Sequence, residues 1–347
     1  MYINKVVLKN FRNYDEEEIL LNKNINIFYG DNAQGKTNLL EAISFCGFGK
    51  SFRTSKEKEL IKKEKDFLKI ETYFQRSDRD GKIKIEIADK KVVYLNDIKL
   101  KKLSELLGNI NLVIFSPDDI NLLKSGPNER RRFLDMMIGQ LRPGYLLNLN
   151  LYLKTLEQRN NFLKKKMRNK ELLDIWNEKL IDYGEKIYNY RNEFIEKIKE
   201  KIVEIHSEIT DEKIDINYKS DCYSRENFLK KLTKNEEIDY IRGFTSSGVH
   251  RDDFSINING EPVNIYGSQG QNRTAILSLK LAELNVIKED VGEYPILLLD
   301  DFMSELDEKR ITRFLNSIED IQVIITCTKN IEIKNSTSHK VENGKIN

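Results

Sequence analysis

Residues 30 to 37 read GDNAQGKT, between the apolar run INIFY and the helix-like NLLEAISF. The spacing is G-x-x-x-x-G-K-[ST], and strand-then-helix flanks are the context that such a P-loop needs. In that pattern, successive backbone N–H groups of Gly30, Asp31, Asn32, Ala33, Gln34 and Gly35 surround phosphate oxygens at the positive end of a helix dipole. Lys36 reaches the outer phosphates, and the Thr37 hydroxyl holds Mg²⁺. The chemistry implied is binding of ATP or a similar nucleotide. A phosphate cradle alone hydrolyses nothing, so a carboxylate is needed elsewhere.

The run PILLLDD, residues 295 to 301, supplies one. Its continuous apolar stretch has the character of a strand covered on both faces. A place beside the P-loop strand is expected for it, with Asp300 as a Mg²⁺ ligand through water and Asp301 orienting the attacking water. Lys36, Asp300 and Asp301 are thus the catalytic candidates, and Thr37 with Asp300 the metal pair. A third element is YGSQGQNRT, where Ser268, Gln269, Gly270 and Gln271 open an amphipathic helix. Ser268 alone would read as an ordinary N-cap. Exposed N–H groups at a helix start also grip phosphate. Because the chain already has one grip, the simplest use of a second is to close over ATP held by another copy, giving an ATP-dependent homodimer.

The elements that must position these residues are legible in outline. From Met1 to about Phe115, YINKVVLKNF, INIFYG, FLKIETYF, KIKIEIADKKVVYLN and INLVIF read as strands, with helices at Asn38 to Cys46 and Lys101 to Leu107. Strand signal then fades from Asn128 to about Ser207. There Tyr145, Leu149, Tyr152, Leu156 and Leu163 draw one apolar stripe, and Trp176, Leu180, Tyr183, Ile187, Tyr190, Phe194, Ile198, Ile202 and Ile205 draw a second along a helix of roughly 30 residues. The two stripes predict an antiparallel helical hairpin. Strands return from about Phe244, followed by helices at Gln269 to about Lys288 and Glu308 to Ser317, and residues from about Lys334 read as a polar tail. The class is α/β, a head in two parts (1–115 and 241–347) around a mainly helical lobe (116–240).

At 347 residues the chain can bury a sizeable core. With 58 lysines and arginines against 56 aspartates and glutamates, it is nearly neutral, so any basic surface is local. Cys46, Cys222 and Cys327 are scattered without C-x-x-C spacing, which fits free thiols. Together with the absence of a signal-peptide pattern or a stretch of about 18 apolar residues, this places the protein in the cytoplasm, with no membrane role.

The order of P-loop, signature helix, carboxylate strand and SELD (304–307) resembles the ABC-type ATPase heads, in particular their SMC-like branch. LKNFRNY, GDNAQGKTNLLEAI, KSFRT, FSPDDINLLKSGPNERRRFLD, TSSGVHRDDF, YGSQGQNRT and LLLDDFMSELD follow in the order seen in the bacterial RecF family of recombination mediators. The resemblance implies an ATP-dependent dimer that binds DNA, hydrolyses ATP slowly, and supports recombinase loading at single-strand gaps with RecO and RecR. It also implies nucleotide contacts at Arg12 and Asn13. Gln269 stands where ABC transporters usually have glycine, Asp301 where they have glutamate, and ITCTKN where many heads end a strand on histidine. Thr326 or Thr328 could bond a phosphate or water there, but neither can act as an imidazole, and slow turnover follows.

Basic residues near these motifs are candidates for the DNA backbone: Lys50 and Arg53 in GKSFRTSKEK, and Arg130, Arg131 and Arg132 in NERRRFLD. His250 in GVHRDDF has too few ligand neighbours for a metal and reads as structural. The competing readings are an SMC-like structural ATPase, for which the hairpin is short, and a small-metabolite P-loop kinase, which has no use for the Ser268 helix.

Overall fold

The computed structural model describes residues 1–166, 168–301 and 320–347, so SELD and the helix expected at Glu308 to Ser317 lie outside the described residues. Two compact units are formed, Met1–Ile120 with Ile276–Asn347, and Asn121–Ala275. The division therefore falls at 120 and 275, not at 115 and 240.

The first unit opens with β1 (Tyr2–Phe11), β2 (Tyr14–Leu20), β3 (Ile25–Tyr29) and α1 (Lys36–Phe48). A register shift between Ile3 and Lys5 lets Ile3 and Val6, three residues apart, both face inward on β1. Helix α1 is buried at every position from Leu39 to Phe48, as expected of a helix that is apolar around most of its circumference. It stops at Gly49, whose left-handed backbone (φ 64°) closes the last turn onto the Phe45 carbonyl. Next come β4 (Leu68–Gln75), β5 (Asp80–Ile87), β6 (Lys91–Leu95), β7 (Ile98–Lys99) and β8 (Leu112–Phe115). Strands β2-β1-β4-β5-β6-β7 form one antiparallel sheet. The helix expected at Lys101 to Leu107 is only a 3-10 turn at Leu103–Glu105, because so short a segment cannot recover the cost of helix nucleation.

The second unit contains α2 (Asn121–Lys124), α3 (Pro127–Leu141), α4 (Pro143–Lys164) and α5 (Lys170–Ile209). Arg191 of α5 bonds Tyr145 of α4 and Arg159 of α4 bonds Asn177 of α5, so the two helices run antiparallel. Helix α5 has 40 residues, about 60 Å at 1.5 Å per residue, longer than its apolar stripe predicts. Asn169 caps it, accepting from the Leu172 N–H. Beyond the hairpin lie β9 (Ile214–Lys219), α6 (Arg225–Lys234), α7 (Glu236–Arg242), β10 (Asp253–Ile258), β11 (Glu261–Pro262), α8 (Val263–Tyr266) and α9 (Gln269–Val291). Because β9 and β11 both pair with β10, residues 241–275 stay with the helical unit.

The core of this unit is not purely apolar. Arg159 is fully buried and donates to Asn177 (2.9 Å), Asp239 (2.8 Å) and Thr245 (2.8 Å). Arg191 is similarly buried and donates to Tyr145 (2.9 Å), the Val249 carbonyl (2.7 Å) and Asp135 (2.9 Å). A buried guanidinium is tolerable only when paired in this way. Two of these six partners, Thr245 and the Val249 carbonyl, come from TSSGVHRDDF. His250 belongs to the same network: its Nε2–H faces the Thr245 carbonyl (3.1 Å), and its Nδ1 accepts from Tyr152 (2.8 Å).

The first unit resumes at Ile276, within α9, and continues with β12 (Ile296–Leu299), β13 (Val323–Cys327), β14 (Ser336–Glu342) and β15 (Lys345–Ile346). The second sheet has the order β15-β14-β3-β13-β12-β8, parallel except for β15. The polar tail is thus a hairpin. Strand β14 pairs its backbone with β3 and buries Val341, while His339 stacks on Phe28 at 4.7 Å, so few of its side chains needed to be apolar.

Burial lowers the His250 pKa from 6.5 to about 4. The folded protein keeps the ring neutral while the unfolded chain protonates it, so stability is lost as pH falls from about 6.5 towards 4. In urea titrations His250→Gln should lose about 2 kcal/mol less than the parent across that window. Parallel curves for the two proteins would contradict the assignment.

Candidate functional site

The P-loop departs from the end of β3. Gly30 (φ 152°) and Gly35 (φ 120°) take backbone conformations that favour glycine. A Cβ on Gly30 would lie 2.3 Å from the Val341 carbonyl oxygen. Lys36 folds back, donating to the carbonyls of Gly30 and Asp31. The loop is also braced from outside. The Gln34 carbonyl accepts from Asn13 Nδ2 (2.7 Å) and from the Gly344 N–H (3.0 Å). Its side-chain oxygen accepts from the Asn343 N–H (2.6 Å), and Tyr14 donates to the Gly35 carbonyl (2.9 Å).

At the head of the same sheet, Asp300 follows β12. Its Oδ1 accepts from Thr37 (2.8 Å) and from Thr326 (2.7 Å), whose hydroxyl in turn accepts from the Asp301 N–H (3.0 Å). The carboxylate strand does not lie beside the P-loop strand, as expected from sequence. Strand β13 intervenes, pairing with β3 on one side and β12 on the other, and Thr326 at its end fills the gap. Burial raises the Asp300 pKa, opposed by the Thr326 and Thr37 hydrogen bonds and by the charge of Arg53. Together these residues line a cleft of about 200 Å³ with Asn32, Ala33, Gly35, Lys36, Asn38, Arg53 and Asp301.

The donor set fits Mg²⁺, which takes a carboxylate and a hydroxyl together with phosphate oxygens and water. Thr37 and Asp300 are the residues that would hold it. Among the described residues no group of three or more His, Cys, Asp or Glu could bind a metal by itself, so such a cation depends on phosphate for further ligands.

Other sequence candidates fall elsewhere. Asn13 does not line the cleft; it supports the loop through Gln34 and Asn38. Arg12 is also outside the lining, bound bidentately to the buried Glu41 (2.9 and 2.7 Å) and to the Glu59 carbonyl (2.8 Å). Arg53, read as a DNA contact, is exposed and lines the cleft. Lys50 is exposed. Of the arginine run, Arg130 is held by Asp253 and by the carbonyls of Leu122 and Ser125, and Arg131 by the Asp252 carbonyl and Asn128. These two fasten α3 to the start of β10, and only Arg132 is exposed. Ser268, Gln269, Gly270 and Gln271 are not in the cleft lining. Ser268 and Gln271 form a reciprocal capping box (3.2 and 2.8 Å), with Ser268 and Gln269 exposed at the start of α9.

A P-loop with a carboxylate strand, set in a two-part α/β unit around a helical insertion, defines an ATPase head of the ABC/SMC type. The family described as RecF/RecN/SMC N terminal domain matches residues 2–343. The DNA replication and repair protein RecF of Clostridium perfringens is 46% identical, covering 100% of this chain and 97% of the relative. RecF of Clostridium acetobutylicum is also 46% identical, with coverage of 100% and 99%. Among solved structures, the recombination mediator protein RecF with ATP superposes with a TM-score of 0.95 at 39% identity, covering 100% of this chain and 97% of the other. An Smc head bound to the C-winged helix domain of ScpA shares the fold, with a TM-score of 0.61 at 18% identity, covering 100% and 96%. The chain belongs to the RecF family.

Thr326→Val removes one of the two donors to Asp300 and the acceptor for the Asp301 N–H. We expect ATP turnover to fall about tenfold or more while ATP affinity changes by less than about threefold. Unchanged turnover would show that the threonine does not position the carboxylates.

Proposed function

We propose that this protein is an ATP-dependent DNA-binding recombination mediator, in which ATP joins two copies and its slow, DNA-stimulated hydrolysis limits the lifetime of the pair. Lys36 binds the outer phosphates, and Thr37 and Asp300 hold Mg²⁺. The cation, when bound, neutralises charge on those phosphates. Asp301 orients the attacking water, and the Asp300 carboxylate is kept in place by Thr326. The observation that carries the reading is the division of labour between two phosphate grips. One is a braced P-loop cleft lined by Lys36, Thr37 and Asp300. The other is the exposed start of α9, where Ser268, Gln269, Gly270 and Gln271 offer a helix N-terminus to a phosphate held by a second copy.

The polar set around the outer phosphates contains threonine where an imidazole would assist water, which favours slow turnover. ATP then acts as a timer, not as fuel for motion. A solved relative is described as the recombination mediator of the RecFOR pathway, which supports RecO and RecR as partners; the DNA targets of this reading are gaps or single-strand/duplex junctions. No helix among the described residues is long and apolar enough to cross a membrane, and the three cysteines are buried free thiols, in keeping with a cytoplasmic protein. Lys50, Arg53 and Arg132 are the exposed basic candidates for the DNA backbone, Arg53 at the cleft.

Light scattering tests the pairing. With ATP the parent should double its mass, and Ser268→Arg, which places a bulky cation at the α9 N-terminus, should stay monomeric. A parent mass that never changes with ATP would overturn the shared-site reading.

A further inference from the structure

Glu41 lies one helical turn beyond Thr37 on α1 and has no exposed surface. A buried carboxylate needs strong partners. Glu41 has three: Arg12 through two bonds (2.9 and 2.7 Å), the Ser51 hydroxyl (2.5 Å), and Arg53 Nη1 (3.4 Å). The Ser51 hydroxyl also accepts from the backbone N–H groups of Arg53 (2.9 Å) and Thr54 (3.1 Å). Glu41 thus fastens the 51–54 loop through Ser51 and steadies the Arg53 side chain directly. Arg53 receives a second anchor from Asn38 Oδ1 (2.8 Å), also on α1. The result is a guanidinium held against the P-loop helix, with its side chain 40% exposed, in the cleft that Lys36, Thr37 and Asp300 line.

We infer that Glu41 is a positioning residue for ATP hydrolysis: it presents Arg53 to the outer phosphates from within the same chain, while Arg12 offsets its charge from behind. This rests on the cleft being the ATP site of the proposed function. Two arginines against one carboxylate leave a net positive charge beside the cleft, complementary to a triphosphate. Because Arg53 is braced by α1, the helix that also carries Thr37, its place relative to the metal pair is set before ATP arrives. Such preorganisation assists the step in which charge develops on the transferred group.

The test is a double-mutant cycle on the full chain with Glu41→Gln and Arg53→Ala, reading kcat and KM for ATP alongside melting temperatures. Each single change should lower kcat about tenfold or more, and the double variant should fall within about twofold of Arg53→Ala, since Glu41 then has no arginine to present. Losses that multiply, or a Glu41→Gln protein with parental kcat, would overturn the inference. Should Glu41→Gln fail to fold, Ser51→Ala releases the same loop and leaves the Arg12 pair intact; non-additivity with Arg53→Ala then supports the inference and a multiplicative loss overturns it. A parent that binds ATP without turning it over would strike the proposed function instead, and the same cycle would be read in ATP affinity.

Discussion

Everything in the P-loop cleft depends on one buried carboxylate oxygen, Asp300 Oδ1, which accepts hydrogen bonds from the hydroxyls of Thr37 and Thr326. A carboxylate removed from water without donors would cost several kcal/mol or take up a proton. The two donors arrive from different directions, one from the first turn of α1 and one from the end of β13. Their convergence requires correct register across three parallel strands. The pairing of Leu299 with Ile325, and of Thr326 with Phe28, provides it. A slip of one residue would turn Thr326 to the other face of the sheet.

Around that junction the chain's beginning and end both serve the P-loop. Asn13 comes from the turn between β1 and β2 and Tyr14 from the start of β2, and Asn343 and Gly344 come from the turn between β14 and β15. They satisfy the Gln34 and Gly35 carbonyls and so stiffen a loop whose own N–H groups stay available to phosphate. The long separation in sequence between P-loop and carboxylate is the mark of an insertion: residues 121–275 fold as a separate unit with its own core of paired arginines.

Legibility in the sequence followed the range of the interaction. The P-loop and the PILLLDD strand were readable because spacing along the chain is itself the constraint, and the hairpin helices because a 3.6-residue period survives without knowledge of the partner. The place of β13 between β3 and β12 was not, since neighbourhood in a parallel sheet leaves no local trace; ITCT looked like a missing histidine when Thr326 was in fact the brace for Asp300. Arg159 and Arg191 escaped because a stripe of apolar residues does not reveal a charged residue paired inside it. The same blindness made Arg130 and Arg131 look like a surface charge run, although both are spent on fastening α3 to β10. The terminal hairpin was hidden by its polar side chains, as its hold on β3 is mostly backbone pairing.

In the proposed function the cleft is half of a site, and a second copy completes it. The most direct measurement is ATP turnover per molecule as protein concentration is raised from well below to well above the point of association. A shared site predicts specific activity that climbs with concentration and then levels off. Specific activity constant across the whole range would contradict it.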